Sequence, residues 1–163
     1  MSDLDTKLAE ILNTRFMELF EIAFKKPLHP ALCSPDQIPF VAPIYHSTIG
    51  LTGDGIESQL LITADKKFLH ETHPERRYGG VLESGDYLDW VAEISNRTLA
   101  GSKAHIYSLG FQLRLEQPQA KQGLPQEVTA DANELVQVLE SEGFYAMLSL
   151  RIKKLDARPA KAG

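Results

Sequence analysis

The sequence predicts an α+β domain, a largely antiparallel sheet packed by two long helices. Three observations carry that expectation. Apolar residues recur at helical spacing over residues 3–26 and again over 84–109, while two pairs of alternating stretches face each other across turn-forming residues. The chain has 163 residues, 43% of them hydrophobic and 24% charged, which suits one soluble domain with a real core. We read residues 1–156 as that domain and 157–163 as a polar tail.

Taken in order, the first helix rests on Leu4, Leu8, Ile11, Leu12, Phe16, Leu19, Phe20 and Ala23, with Ser2 or Asp3 as cap and Pro27 as stop. Residues 27–43 carry prolines at 27, 30, 35, 39 and 43, so a stiff connection is expected there rather than regular structure. Ile44–Leu51 and Ile56–Thr63 flank Thr52-Gly53-Asp54-Gly55, a hairpin signal. Ile56, Ser58, Leu60 and Ile62 alternate with Glu57, Gln59, Leu61 and Thr63, as on a half-buried strand. Lys66–His73 reads as a short helix, and Arg76–Gly80 as a loop without a phosphate-binding lysine pattern.

The segment from Ser84 to Leu109 is the second long helix, with Ser84 or Asp86 as N-cap and Gly110 as stop. Leu88, Val91, Ala92, Ser95, Leu99, Ser102 and Ile106 form one stripe, apolar or small throughout. Asp89, Glu93, Asn96 and Lys103 form a polar line roughly a quarter turn away. Beyond it, Phe111–Glu116 reads as a strand ending at Pro118, and Gly123-Leu124-Pro125 as a loop. Glu134–Leu139 and Phe144–Leu155 make a second hairpin. On its last strand Ala146, Leu148, Leu150 and Ile152 share one face.

Charge and composition exclude several function classes. The net charge is −5, and Lys and Arg form no stripe, which argues against a nucleic-acid surface. The run Arg151, Lys153, Lys154, Arg158, Lys161 is a short basic strand end and tail. A single cysteine, Cys33, cannot form an intramolecular disulfide, and no nearby histidine makes it a nucleophile. With no signal-peptide pattern and no apolar run of about 18 residues, a cytoplasmic protein is expected. His70 and His73 stand three apart but lack a third ligand at a telling spacing, so no metal site is expected.

The run AEISNRTLAGSKAHIYSLGFQLRLEQPQAKQG, residues 92–123, resembles CheX members of the CheC/CheX/FliY chemotaxis phosphatase family. Those proteins carry a Glu-x-x-Asn pair on a helix, often with an acidic or Ser residue four before the Glu, and a strand and proline some two dozen residues later. Here the acid is Asp89, the pair is Glu93 and Asn96, and the proline is Pro118. The resemblance covers most of residues 44–155. It implies hydrolysis of the aspartyl phosphate on a CheY-like response regulator. Asn96 would orient the attacking water, Glu93 would grip the regulator's active-site lysine, and Asp89, Ala100 and Lys103 would contact the regulator. The Mg²⁺ would belong to the regulator, and this chain would need no cofactor of its own.

The residue types fit that chemistry. An acyl phosphate is already reactive, so a helper need only align water for in-line attack. An amide both donates and accepts and does not titrate, so it can hold a water in one orientation.

A second pair, Glu10 and Asn13, has the same spacing on the first helix, and Pro35 follows Asn13 as Pro118 follows Asn96. It is a possible second site, although Thr6 stands where the acid would be. Glu93 also lies four residues before Arg97, the spacing of an ordinary surface ion pair. A non-catalytic docking module for a response regulator or a flagellar motor or chemotaxis component is the alternative reading. A homodimer through the edge of the strand at 144–155 is a further expectation, since an uncovered edge invites pairing.

Overall fold

In the computed structural model, which describes residues 3–25, 27–53 and 55–154, the N-terminal periodicity becomes helix α1 (Asp3–Phe24). Asp3 and Asp5 stand in its first turn, where the helix dipole favours negative charge. Leu8, Leu12, Phe16 and Phe20, each four residues after the last, are all but fully buried. Lys25 then takes a left-handed φ of 50°, and the chain leaves the helix ahead of Pro27. Ser2, one of the two expected caps, lies outside the described residues.

Seven strands follow: β1 (His29–Pro30), β2 (Ile44–Gly53), β3 (Ile56–Asp65), β4 (Arg114–Leu115), β5 (Gln119–Gln122), β6 (Asn133–Ser141) and β7 (Phe144–Lys154). They pair antiparallel in the order β1-β6-β7-β3-β2-β4, and β5 also pairs with β2. Helices α2 (Lys66–Thr72) and α3 (Ser84–Ser108) complete the described fold, the expected α+β arrangement. Among the described residues no helix is long and apolar enough to cross a membrane.

Both hairpins form. Gly53 pairs with Ile56 at the first turn, and its φ of 144° with Gln112 oxygen 2.4 Å from where a Cβ would sit restricts the position to glycine. Asp54 of that turn lies outside the described residues. At the second turn Glu142 and Gly143 both have positive φ, 50° and 83°, as a two-residue connection between twisted strands requires.

Tyr45, Ile49 and Leu51 of β2, Leu60 and Ile62 of β3, and Leu148, Leu150 and Ile152 of β7 join α1 and α3 in one buried core. The alternation in β3 holds only at its start. Leu61 and Thr63, on the opposite face, are buried as well. Leu124 and Pro125 line a cleft over that face together with Leu61 and His46, and His46 Nδ1 is 2.8 Å from the Gly123 carbonyl oxygen.

Several expectations are corrected. The 27–43 connection is not free of regular structure: it contributes β1, paired to β6, and a 3₁₀ turn at Pro35–Gln37. The expected loop at 76–80 begins inside another 3₁₀ turn, Pro74–Tyr78. The strand at 111–116 shrinks to Arg114–Leu115, and a strand appears at Gln119–Gln122 beyond Pro118. Both lie on β2, and the proline, with no N–H to give, falls where the edge is interrupted. The strand at 144–154 is no edge: β3 and β6 flank it on both sides, so it offers no dimer-forming backbone.

Asp65 ends β3 and caps α2. Its Oδ1 accepts from the Phe68 N–H at 2.9 Å and its Oδ2 from the Val41 N–H at 3.0 Å. Asp65→Ala is expected to cost about 1–2 kcal/mol of stability, read as a lower denaturant midpoint at unchanged slope.

At the far end of the sheet Lys153 Nζ lies 2.8 Å from Asp131, which also accepts from the Thr129 hydroxyl at 2.6 Å. These bonds hold the Asp131 carboxyl at about 2, below the usual carboxylate range. A depressed value means that any stabilisation is present at neutral pH and fades as pH falls toward about 2. The pair is exposed, so its contribution is small. Lys153→Ala is expected to return Asp131 toward ordinary carboxylate titration, followed by NMR of its side-chain carboxyl carbon.

Candidate functional site

α3 begins differently from expectation. Glu83, rather than Ser84 or Asp86, is the N-cap residue, and the Asp86 carboxylate reaches back to accept from the Glu83 N–H at 2.8 Å. At the other end Gly110, with φ 89°, donates its N–H to the Tyr107 carbonyl at 2.9 Å and stops the helix as expected.

Its buried face takes in Tyr87, Trp90, Val91, Ile94, Ser95, Thr98, Leu99, Ser102 and Ile106. At about 100° per residue these cover an arc of about 180°. The face is therefore wider than the expected stripe, in which Leu88 and Ala92 are only half-buried. Small hydroxyl residues let the helix lie close to its neighbours. Thr98 donates to the Ile94 carbonyl at 2.8 Å and Ser102 to the Thr98 carbonyl at 2.6 Å, so neither needs another partner. Ser95 bonds Ser47 of β2, which ties helix to sheet. Burial pushes the Tyr87 phenol up, with Tyr45 and Asp86 adding to the effect, and its oxygen lies 3.1 Å from His70 Nδ1.

That broad buried arc turns the polar line outward. Asp89, Glu93, Asn96, Ala100 and Lys103 fall within about 80° on the side nearly opposite the core, not a quarter turn from it. Asp89, Asn96, Ala100 and Lys103 are exposed, and the Glu93 side chain is 46% exposed. Among the described residues, none hydrogen-bonds the Asn96 amide. Lys103 Nζ lies 5.7 Å from the Tyr107 ring. Glu93 is not free: its Oε1 accepts from Arg97 Nε at 3.0 Å, the ion pair that the spacing of four allows.

The pair on α1 sits differently. Glu10 is exposed and lines a groove of about 320 Å³ between α1 and the end of α3, with Ile11, Arg15, His105 and Leu109. Asn13 is half-buried. Residues seven apart share a helical line, and the residue seven after Asn13 is Phe20, which is fully buried. The residue seven after Asn96 is the exposed Lys103. Of the two amides, Asn96 is exposed whereas Asn13 is not.

His70 and His73 diverge, His70 toward Tyr87 and His73 accepting from the Glu75 N–H at 3.1 Å with its ring 5.5 Å from Trp90. Among the described residues no three His, Cys, Asp or Glu side chains are grouped to hold a metal. Sequence reasoning overlooked Trp90. It is buried, donates from Nε1 to Thr72 Oγ1 at 3.0 Å, and carries the Arg97 guanidinium 5.5 Å above its ring. The signal was available: Arg97 follows Trp90 by seven, one shared line.

No protein-family model and no curated protein matches this chain. Solved structures do. Chemotaxis protein CheX from Vibrio vulnificus superposes with a TM-score of 0.76 at 17% identity, covering 93% of this chain and 100% of its own. A CheC-like superfamily protein from Shewanella sp. PV-4 gives 0.76 at 15%, covering 94% and 99%. A CheX–CheY–BeF3–Mg²⁺ complex from Borrelia burgdorferi gives 0.65 at 13%, covering 93% and 99%. The fold expected from the resemblance and the fold of the chain agree: this chain has the architecture of the CheX and CheC-like chemotaxis proteins.

Proposed function

We propose that this chain is a CheX-like member of the CheC/CheX/FliY family that acts in the cytoplasm and hydrolyses the aspartyl phosphate of a CheY-like response regulator. The observation that supports it most is the outward line on α3. An acid and an amide stand one turn apart on a helix whose opposite side is locked into the core, so both can enter another protein's pocket. A structure of this fold in complex with CheY makes a regulator the natural partner.

In this reading the regulator brings its own Mg²⁺ and phosphoryl group. Asn96 accepts a hydrogen bond from the attacking water through Oδ1, which holds the water at the in-line angle while its proton stays with the water and the regulator's own groups. Glu93 pairs with the regulator's active-site lysine through a charge-assisted bond and fixes register. Asp89, Ala100 and Lys103 extend the contact along the helix.

Phosphate release from candidate phosphorylated regulators tests the reading. Acceleration by the wild-type chain is the expected result. Binding without any acceleration would instead identify the docking module, which uses the same helix without chemistry. The pair on α1 is expected to stay inactive, because Asn13 shares the line of a buried phenylalanine.

A further inference from the structure

We propose that Arg97 is the positioning residue that aims Glu93, an inference that rests on the regulator-binding reading above. Glu93 ends a flexible side chain, and an unguided one loses its rotamer freedom only on binding. Here it is already held. Its Oε1 accepts from Arg97 Nε at 3.0 Å, which leaves Oε2 open to a second cation. Arg97 is held in turn, its planar guanidinium lying 5.5 Å from the Trp90 ring.

Trp90 is 4% exposed, and its Nε1 donates to Thr72 Oγ1 at 3.0 Å. The Thr72 hydroxyl donates onward to the Phe68 carbonyl at 2.9 Å, so the chain of contacts ends in the backbone of α2. A carboxylate on the outer face of α3 is thus referenced to a different helix through a buried indole. The contact to Glu93 is single rather than two-pronged, so a partner ammonium need not displace Arg97 to reach the remaining oxygen.

Arg97 therefore acts through Glu93 on affinity, and leaves the water held by Asn96 alone. The test is a double-mutant cycle read by binding to a beryllofluoride- and Mg²⁺-loaded regulator, with turnover measured beside it. Arg97→Ala is expected to weaken binding roughly three- to tenfold with turnover at saturation unchanged. In a Glu93→Ala background, where no carboxylate remains to aim, the same substitution should change affinity by less than about twofold. Alanine at this exposed helical position keeps the fold, which an unchanged melting temperature would verify.

Wild-type affinity or tighter binding in Arg97→Ala would overturn the inference alone. So would an equal loss with and without Glu93, since Arg97 would then touch the regulator directly. A wild-type chain that neither binds nor dephosphorylates any regulator would overturn this inference and the regulator-binding reading together.

Discussion

Asn96→Ala is expected to remove about 10²–10³ of the chain's acceleration of regulator dephosphorylation, the usual effect of deleting one orienting group. Affinity for the phosphorylated regulator should change little, because Glu93, Ala100 and Lys103 remain on the same outward face. The substitution sits on an exposed helical position and adds the best helix former, so loss of folding is no explanation for loss of rate. Asn13→Ala, assayed in parallel, is expected to turn over like wild type. If both variants keep full activity, water positioning does not reside in either amide. If Asn13→Ala alone is dead, the working helix is α1.

Phe20→Ala should be the most destabilising single change at a site far from the proposed chemistry, at about 3–5 kcal/mol. The ring is fully buried. It packs 4.8 Å from Phe16 on its own helix and 5.2 Å from Phe68 on α2, both at tilted angles. Truncation would open a cavity where α1 meets α2 and remove both aromatic contacts. Urea unfolding would show a lower midpoint at similar slope. A loss below about 1 kcal/mol would mean that the two helices close over the gap.

Much of the fold was legible because the signals are local. The two hairpins announce themselves through glycines at the turns, and α3 through its periodicity and Gly110. The outward line on α3 was legible for the same reason: seven-residue spacing places Asp89, Asn96 and Lys103 together whatever surrounds the helix. How far the buried arc extends was not, because α3 packs against α1, α2 and the sheet at once, and Trp90 is held by Thr72 of α2 rather than by its own sequence neighbours.

Short strands escaped for a physical reason. His29–Pro30 and Arg114–Leu115 are too brief to show a period of two, and Gln119–Gln122 carries a single apolar residue, Ala120, at a sheet edge. Glu83 was passed over as cap because Ser84 and Asp86 are commoner in that role. Strand order was beyond reach from one hairpin at a time. Nothing in the alternation of 144–154 says that both of its sides are taken.

That central place for β7 bears on how the protein is made. During synthesis β2 and β3 emerge early, yet the free side of β3 stays unmatched until residues 144–154 leave the ribosome. For most of translation a strand carrying Leu60, Leu61 and Ile62 has open hydrogen-bonding groups, the setting in which nascent chains clump or recruit a chaperone. Any premature stop ahead of Phe144 would leave that gap permanently unfilled, so truncated products should be insoluble and quickly degraded even though they carry the whole of α3.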